Sequence, residues 1–439
     1  MKNTIKKIIF TLTILILGLG VYFGYSFFQK SKTLIKTNGG DVTNIDRNRT
    51  PFQTRVSTST NVETFANEEV VENPTETASE KPRLIQLWNE PVSGFDFVYK
   101  DIEVISTSTN KSTSTKDIVK DIKNKKILKN QEYIYFWDRK TGHIYENIAS
   151  TTDIVKISNY TSPGAEEVFF ADSSSLIIRT LANDNETIST AYMKLIKEFS
   201  SSTIYKAEVK NINIDANNIS FLGSIKKIFY FINKSGGGVV SNIDGVVRIN
   251  TINTTISEWL SQYVNKTVVA LTTKPSAYFK GYLFTLNPDG NSKNTYILGE
   301  KYGFNTLMSP DGKKVIYNEI LNNTLETFIY DIKAKNSTYL NQATIVDKCV
   351  WGSDSKIIYC GIPQRLEQAP YPDAWYKNNI SFGDNIWSID AETGGFRLIV
   401  SLQDQVIVPI DIYKMNISST NKYLLFQDKE TLTLWKYDL

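Results

Sequence analysis

Histidine is almost missing from this 439-residue chain, which has only His143. Cysteine is nearly as scarce, with two residues. Together these shortages remove most routes to zinc, haem, iron–sulfur and histidine-dependent hydrolytic chemistry. A charge excess of either sign is also missing: 49 Lys and Arg against 46 Asp and Glu leave a formal +3. That balance supplies no basic surface for phosphates and excludes generic nucleic-acid binding. Beyond residue 82 no stretch keeps a 3.6-residue apolar period over about twelve residues, which excludes alternating strand–helix architecture. What the chain does have is 24 Tyr, 22 Phe and many Thr, Ile, Asn and Ser, a composition suited to strands and turns. Its length allows roughly two to four domains or one large repetitive one.

Residues 8–28 (IIFTLTILILGLGVYFGYSFF) are 21 consecutive uncharged positions. As a helix rising about 1.5 Å per residue they span one hydrocarbon thickness. The run exceeds the apolar core of a cleaved signal peptide and ends in an aromatic rim, Tyr22 to Phe28, rather than a small-residue cleavage site. No cysteine follows to serve as a lipid anchor. The expectation is a retained single span within residues 1–29, with the N-terminus cytoplasmic, the remainder exported and the bilayer itself a partner. Residues 30–82 lose apolar periodicity, and 56–80 carry six Glu with no basic residue, a solvated linker. As a flexible coil it would reach about 40 Å. Ser106 to Lys126, again rich in Ser, Thr and Lys, is expected to form a long exposed loop.

From Lys129 onward one pattern recurs: strand, polar turn, strongly apolar strand, turn, strand. The apolar member appears as EYIYFW, SLIIRTL, KKIFYFI, KTVVALTT, KKVIYNEI, SKIIYCGI and NKYLLFQD, starting at residues 132, 175, 226, 266, 313, 355 and 421. These intervals centre on the 40 to 50 residues of a four-stranded propeller blade, and the longest marks an insertion. Turn chemistry agrees: in Ser309-Pro310-Asp311-Gly312, Pro suits a φ near −65° and Gly a positive φ. The fold class is therefore all-β, a propeller of seven blades over residues 83–439, with six or eight as alternatives. The last copy has no room for its fourth strand before Leu439, and RLIQLW at 83–88 is an orphan strand upstream of the first copy. The two are expected to join and close the ring.

The blocks SPDGKKVIY and NIWSIDAETG resemble the TolB-like and WD40-like propeller repeats of exported bacterial proteins. LIQLWNEPVSG, RKTGHIYENI, GYLFTLNPDG and KCVW with YPDAWY look like a family of uncharacterised, single-span membrane-anchored propellers from uncultured small-genome bacteria. The resemblance implies a fold and a location. It carries over no catalytic residue.

Few residues stand out for chemistry. Cys349 and Cys360 flank CVWGSDSKIIYC, where a tight loop at Asp354-Ser355 sets them opposite each other. A disulfide and a pair of buried thiols both fit. His143 follows Gly142 at a strand start and reads as a turn residue. Asn287 to Asn294 lacks the spacing and terminal Glu of a calcium loop, so neither metal nor cofactor is expected. The insertion Pro363 to Asp384 concentrates Tyr371, Asp373, Trp375 and Tyr376 between prolines. Its rings suit either a recognition surface or a plug for one mouth of the ring. Lys274 falls at the corresponding place in the fourth blade and could face it. The function expected is a monomeric, non-enzymatic module binding an envelope protein, a peptide or a polysaccharide. The competing expectation is a glycan hydrolase or lyase using paired carboxylates at the mouth.

Overall fold

The computed structural model describes residues 82–108 and 123–439, apart from positions 183, 185, 198, 200, 201, 215, 217, 234, 235, 257, 291 and 292. The expected membrane span at 8–28 and nearly all of the linker lie outside the described residues. Among the described residues no helix is long and apolar enough to cross a membrane.

Seven antiparallel sheets of four strands follow one another, each formed by consecutive strands except the last. The chain is an all-β, seven-bladed propeller. The first strands of blades 1 and 2, 3 and 4, 4 and 5, and 6 and 7 approach one another, and the first strands form the inner wall of the ring. They are Val92–Ser108, Ala165–Phe170, Ile219–Leu222, Trp259–Asn265, Thr306–Met308, Cys349–Trp351 and Ile412–Ile417. The expected apolar markers are all second strands, which run through the middle of each blade. In Lys227–Phe231 and Val268–Thr273 three and four successive side chains, respectively, are buried. Both faces of such a strand pack against neighbouring blades, which explains why it shows no polar alternation. Fourth strands lie outermost and are wetter; Asn336–Leu340 is exposed until its last residue.

Blade 7 is assembled from both ends of the described chain. Leu84–Trp88 pairs antiparallel with Leu434–Asp438, adding the outer strand that the C-terminal segment lacks. The apolar interior is divided accordingly, one buried cluster per gap between blades. The closing gap between blades 7 and 1 holds Leu87, Val92, Ile134, Phe136, Leu425 and Leu434. On the inner wall Asn416 Nδ2 donates to Asp96 Oδ1 at 2.7 Å, and Gln427 Nε2 donates to the Val92 carbonyl at 2.7 Å.

One expectation needs correction. Ser106 to Lys126 is not simply a loop, because the first two strands of blade 1 stay in register out to Ser108 opposite Lys123. Neither strand contains Pro, and Ser and Thr are as compatible with a paired strand as with a loop. Residues 109–122 lie outside the described residues. The insertion in blade 6 contains one helical turn, α1, at Asp373–Tyr376.

Gly312 adopts φ +73°, as its turn requires. Gly94 has a different constraint, since a Cβ there would lie 2.0 Å from the Val168 carbonyl oxygen on the next inner strand. Replacing Gly94 by Val is expected to destabilise the domain by about 3 kcal/mol, the upper end of overpacking costs, as read from denaturant unfolding. Deleting residues 430–439 removes the strand that joins the two chain ends and should abolish the single cooperative melting transition. A truncated chain that melts unchanged would refute this account of closure.

Candidate functional site

The loops between second and third strands emerge on the face where the inner strands begin. That face has a covered half and an open half. The insertion between Pro363 and Asp384, a directly paired couple on neighbouring strands, covers one side. Tyr371 and Trp375 are each only 1% exposed and pack with Leu325, Ile345 and Phe382 from blades 5 and 6 and their connections. Of the two readings open for these rings, burial supports the plug: neither presents its face to a ligand.

Tyr376 is the exception, remaining 37% exposed while its hydroxyl donates to Asp347 Oδ2 at 2.6 Å. Burial pushes the Asp347 carboxyl up, against the hydrogen bonds from Tyr376 and Asn305. Burial, then the Asp347 charge, pushes the Tyr376 phenol well up. Asp373 Oδ2 accepts from the Ala277 N–H at 2.7 Å, with Ser276 Oγ 3.4 Å from its other oxygen. The fourth-blade loop therefore does meet the insertion, but through Ser276 and Ala277. Lys274 turns instead to Glu258, 2.8 Å away, on an exposed edge.

Beneath α1 lies an ion cluster that the sequence reading missed. Lys348 is fully buried and donates to Asp384 Oδ2 at 2.7 Å and Asp411 Oδ1 at 2.5 Å. Trp375 Nε1 donates to Asp411 Oδ2 at 3.0 Å, and the Lys348 ammonium sits 4.3 Å from the Phe382 ring centroid. Burial pushes the Asp384 carboxyl up to about 6, while Lys348 opposes the shift. Breaking such a cluster by removing one partner leaves an uncompensated buried charge. The insertion is thereby fixed to blades 6 and 7.

The open half, bounded by blades 7, 1, 2 and 3, contains a cavity of about 370 Å³. Arg139 donates to Glu166 at 2.7 Å, and Arg179, fully buried, donates to Glu167 at 2.6 Å and to the Ala216 carbonyl at 2.6 Å. Consecutive strand residues normally face opposite ways, yet Glu166 and Glu167 both line this cavity. A bulge between Ala165 and Glu167 accounts for it. Across the cavity Lys414 stands on a second bulge at φ +48°, its Nζ 4.0 Å from Glu167 Oε1. Arg179 had a sequence signal, a lone guanidinium inside the apolar run SLIIRTL. Lys414 and the Glu pair had none.

Ser93, Glu167 and Lys414 also border a deeper cavity of about 240 Å³, walled by Phe95, Phe169, Ile219 and Met415. Asn416 lines it too and bonds Asp96, whose carboxyl burial pushes up to about 6 against hydrogen bonds from Phe97 N–H and Asn416. Asn218 connects the upper cavity to a small groove of about 120 Å³ that includes Trp259, Glu258 and Lys274. Elsewhere, His143 Nδ1 lies 3.1 Å from the Tyr160 carbonyl in its turn. Cys349 and Cys360 are directly opposed, 4.1 Å apart at Cα, and joined by a disulfide within the cluster between blades 5 and 6. Among the described residues no group of three acidic, His or Cys side chains is placed to hold a metal.

Neither a family model nor a curated protein matches the chain. Among solved structures it is similar to an oligogalacturonate lyase from Vibrio parahaemolyticus, at 10% identity and TM-score 0.45, covering 80% of this chain and 98% of that one. It is also similar to TolB from Acinetobacter baumannii, at 8% identity and TM-score 0.37, covering 69% of this chain and 81% of that one.

The raised carboxyls predict an unusual pH dependence. Asp96 and Asp384, each pushed from 3.8 to about 6, take up protons in the folded state at higher pH than in the unfolded chain. Their stabilising contribution is thus fully present below the ordinary carboxyl value and is lost as pH rises through about 6. Asp172, Asp311 and Asp390 are shifted down and act in the opposite sense, but below the ordinary value. The melting temperature should therefore rise on going from about pH 7 to about pH 5. Asp96→Asn should flatten that rise and raise the melting temperature near neutrality; an unchanged profile in the variant would exclude Asp96 as a contributor.

Proposed function

We propose that this chain is a membrane-tethered, extracytoplasmic, non-enzymatic binding module whose open half-mouth receives an envelope protein, a peptide or a polysaccharide. The span at 8–28 supplies the tether, and the propeller acts as a monomer. The observation that carries the reading is the preformed polar cavity of about 370 Å³ beside a rigidly plugged half-face. Concave sites with a few fixed polar groups are the usual places for ligands. Each Glu in the cavity accepts from an Arg before any ligand arrives, so the donors and acceptors are held in position at little further entropic cost. Lys274 lines the small groove that Asn218 joins to the cavity, and Tyr376 stays partly exposed on the plugged half, whereas Tyr371, Asp373 and Trp375 hold the plug in place.

The competing reading, a glycan hydrolase or lyase, draws support from Glu166 and Glu167 sharing one cavity. Both carboxylates already accept from guanidinium groups, an arrangement better suited to recognition than to proton transfer.

The two readings separate when the full chain is screened against immobilised peptides and envelope polysaccharides and, in parallel, assayed for glycan cleavage. Tyr413 lines the cavity, and binding without turnover, weakened about tenfold or more by Tyr413→Ala and left intact by Lys210→Ala at an exposed position on an outer strand, is the expected result. Turnover that disappears in Glu167→Gln would replace binding with catalysis.

A further inference from the structure

The two adjoining cavities both have mixed polar and apolar linings, but different side chains supply them. Above, three cations, Arg139, Arg179 and Lys414, meet two carboxylates, Glu166 and Glu167. Below, separated by no wall because Ser93, Glu167 and Lys414 border both, Phe95, Phe169, Ile219 and Met415 form an apolar throat. Phe169 continues into Phe221, with ring centroids 5.8 Å apart. The rim therefore has one positive charge more than it has negative charges. That surplus can be assigned to a residue. Arg139 and Arg179 each hold a carboxylate at hydrogen-bond distance, while Lys414 Nζ is 4.0 Å from its nearest carboxylate oxygen. Its ammonium also lies 5.3 Å from the Tyr413 ring centroid, which leaves it the least tightly held of the three cations.

The walls add a third feature. The inner strands of blades 7, 1, 2 and 3 are each the end strand of a sheet, so their channel-side N–H and C=O groups pair with no other strand. Unpaired strand edges are ready partners for an extended backbone. A hydrocarbon chain could fill the throat but would leave those groups unsatisfied.

We propose that this stacked slot captures the C-terminus of an extended peptide with an apolar last side chain. The terminal carboxylate meets Lys414, the last side chain enters the throat among Phe95, Phe169, Ile219 and Met415, and the preceding backbone lies along the inner-strand edges. This deepens the binding-module reading and depends on it. It differs by specifying one chain end and one charge.

The test uses the full chain and short fluorescent peptides ending in Leu, Phe, Gly or Asp, each made as the free acid and as the amide, read by anisotropy. The Leu and Phe acids should bind, and the matching amides should bind about tenfold or more weakly. Gly and Asp endings should lose comparable affinity. Lys414→Gln should erase the difference between acid and amide, and Lys414→Arg should keep it; an unchanged melting temperature in both variants confirms that the fold is intact. Equal binding of acid and amide, or binding of decanoate but of no peptide, would overturn the proposal. If the peptides fail while an envelope polysaccharide or protein still binds in a Tyr413-dependent way, only this inference falls. If nothing binds at the mouth, the module reading falls with it.

Discussion

Ring closure is the constraint on which the other features depend. A four-stranded blade has two apolar faces and cannot cover either by itself. Each gap between neighbours holds a separate buried cluster, so every blade is stable only because both neighbours are present. The strand Leu84–Trp88 is therefore not an accessory. It completes blade 7, and Leu87 packs in the same cluster as Leu425 and Leu434. Without it the outer edge at Leu434–Asp438 would be unpaired, and the gap between the last and first blades would lose part of its apolar cover.

The same seam positions the candidate site. Val92 and Ser93 on one side and Tyr413, Lys414 and Gln427 on the other all line the open cavity. Gln427 donates to the Val92 carbonyl, and Asn416 reaches Asp96. The hydrogen bonds that hold the ring shut are thus the ones that fix the width of the mouth. A ligand bridging blades 7 and 1 would bind across a joint already under cooperative control.

How much of this could be read in the sequence followed from burial. Second strands were legible because both faces are covered, which turns them into short apolar runs such as KIFYF and VVALTT. Outer strands such as Asn336–Leu340 are wet and blend into their turns. The first hairpin was obscured by Ser, Thr and Lys, residues that fit a paired strand as well as a loop. At the site, the aromatic insertion was conspicuous in sequence but is largely plug, because rings in a proline-stiffened loop serve packing as readily as recognition. The open half escaped notice because its residues come from short segments scattered between Val92 and Leu432. Two of these, Glu166 and Lys414, depend on bulges that no residue type announces.

The division of charge between the two halves explains why one is closed and the other open. Under the insertion a single cation, Lys348, faces two carboxylates with no exposure to water, and Trp375 caps Asp411. Lys348, Asp384 and Asp411 all lie outside α1, which adds the Trp375 donor and the cover above them, so lifting the insertion would expose its apolar rings and let water reach the buried charges. In the open half the ion pairs satisfy one another without a lid. Arg179 is buried yet held by Glu167 and the Ala216 carbonyl, both parts of the propeller body. That half therefore needs no loop to cover it, and it can remain a cavity at low cost. The covered half anchors the face as a rigid frame, and the open half is where recognition can take place.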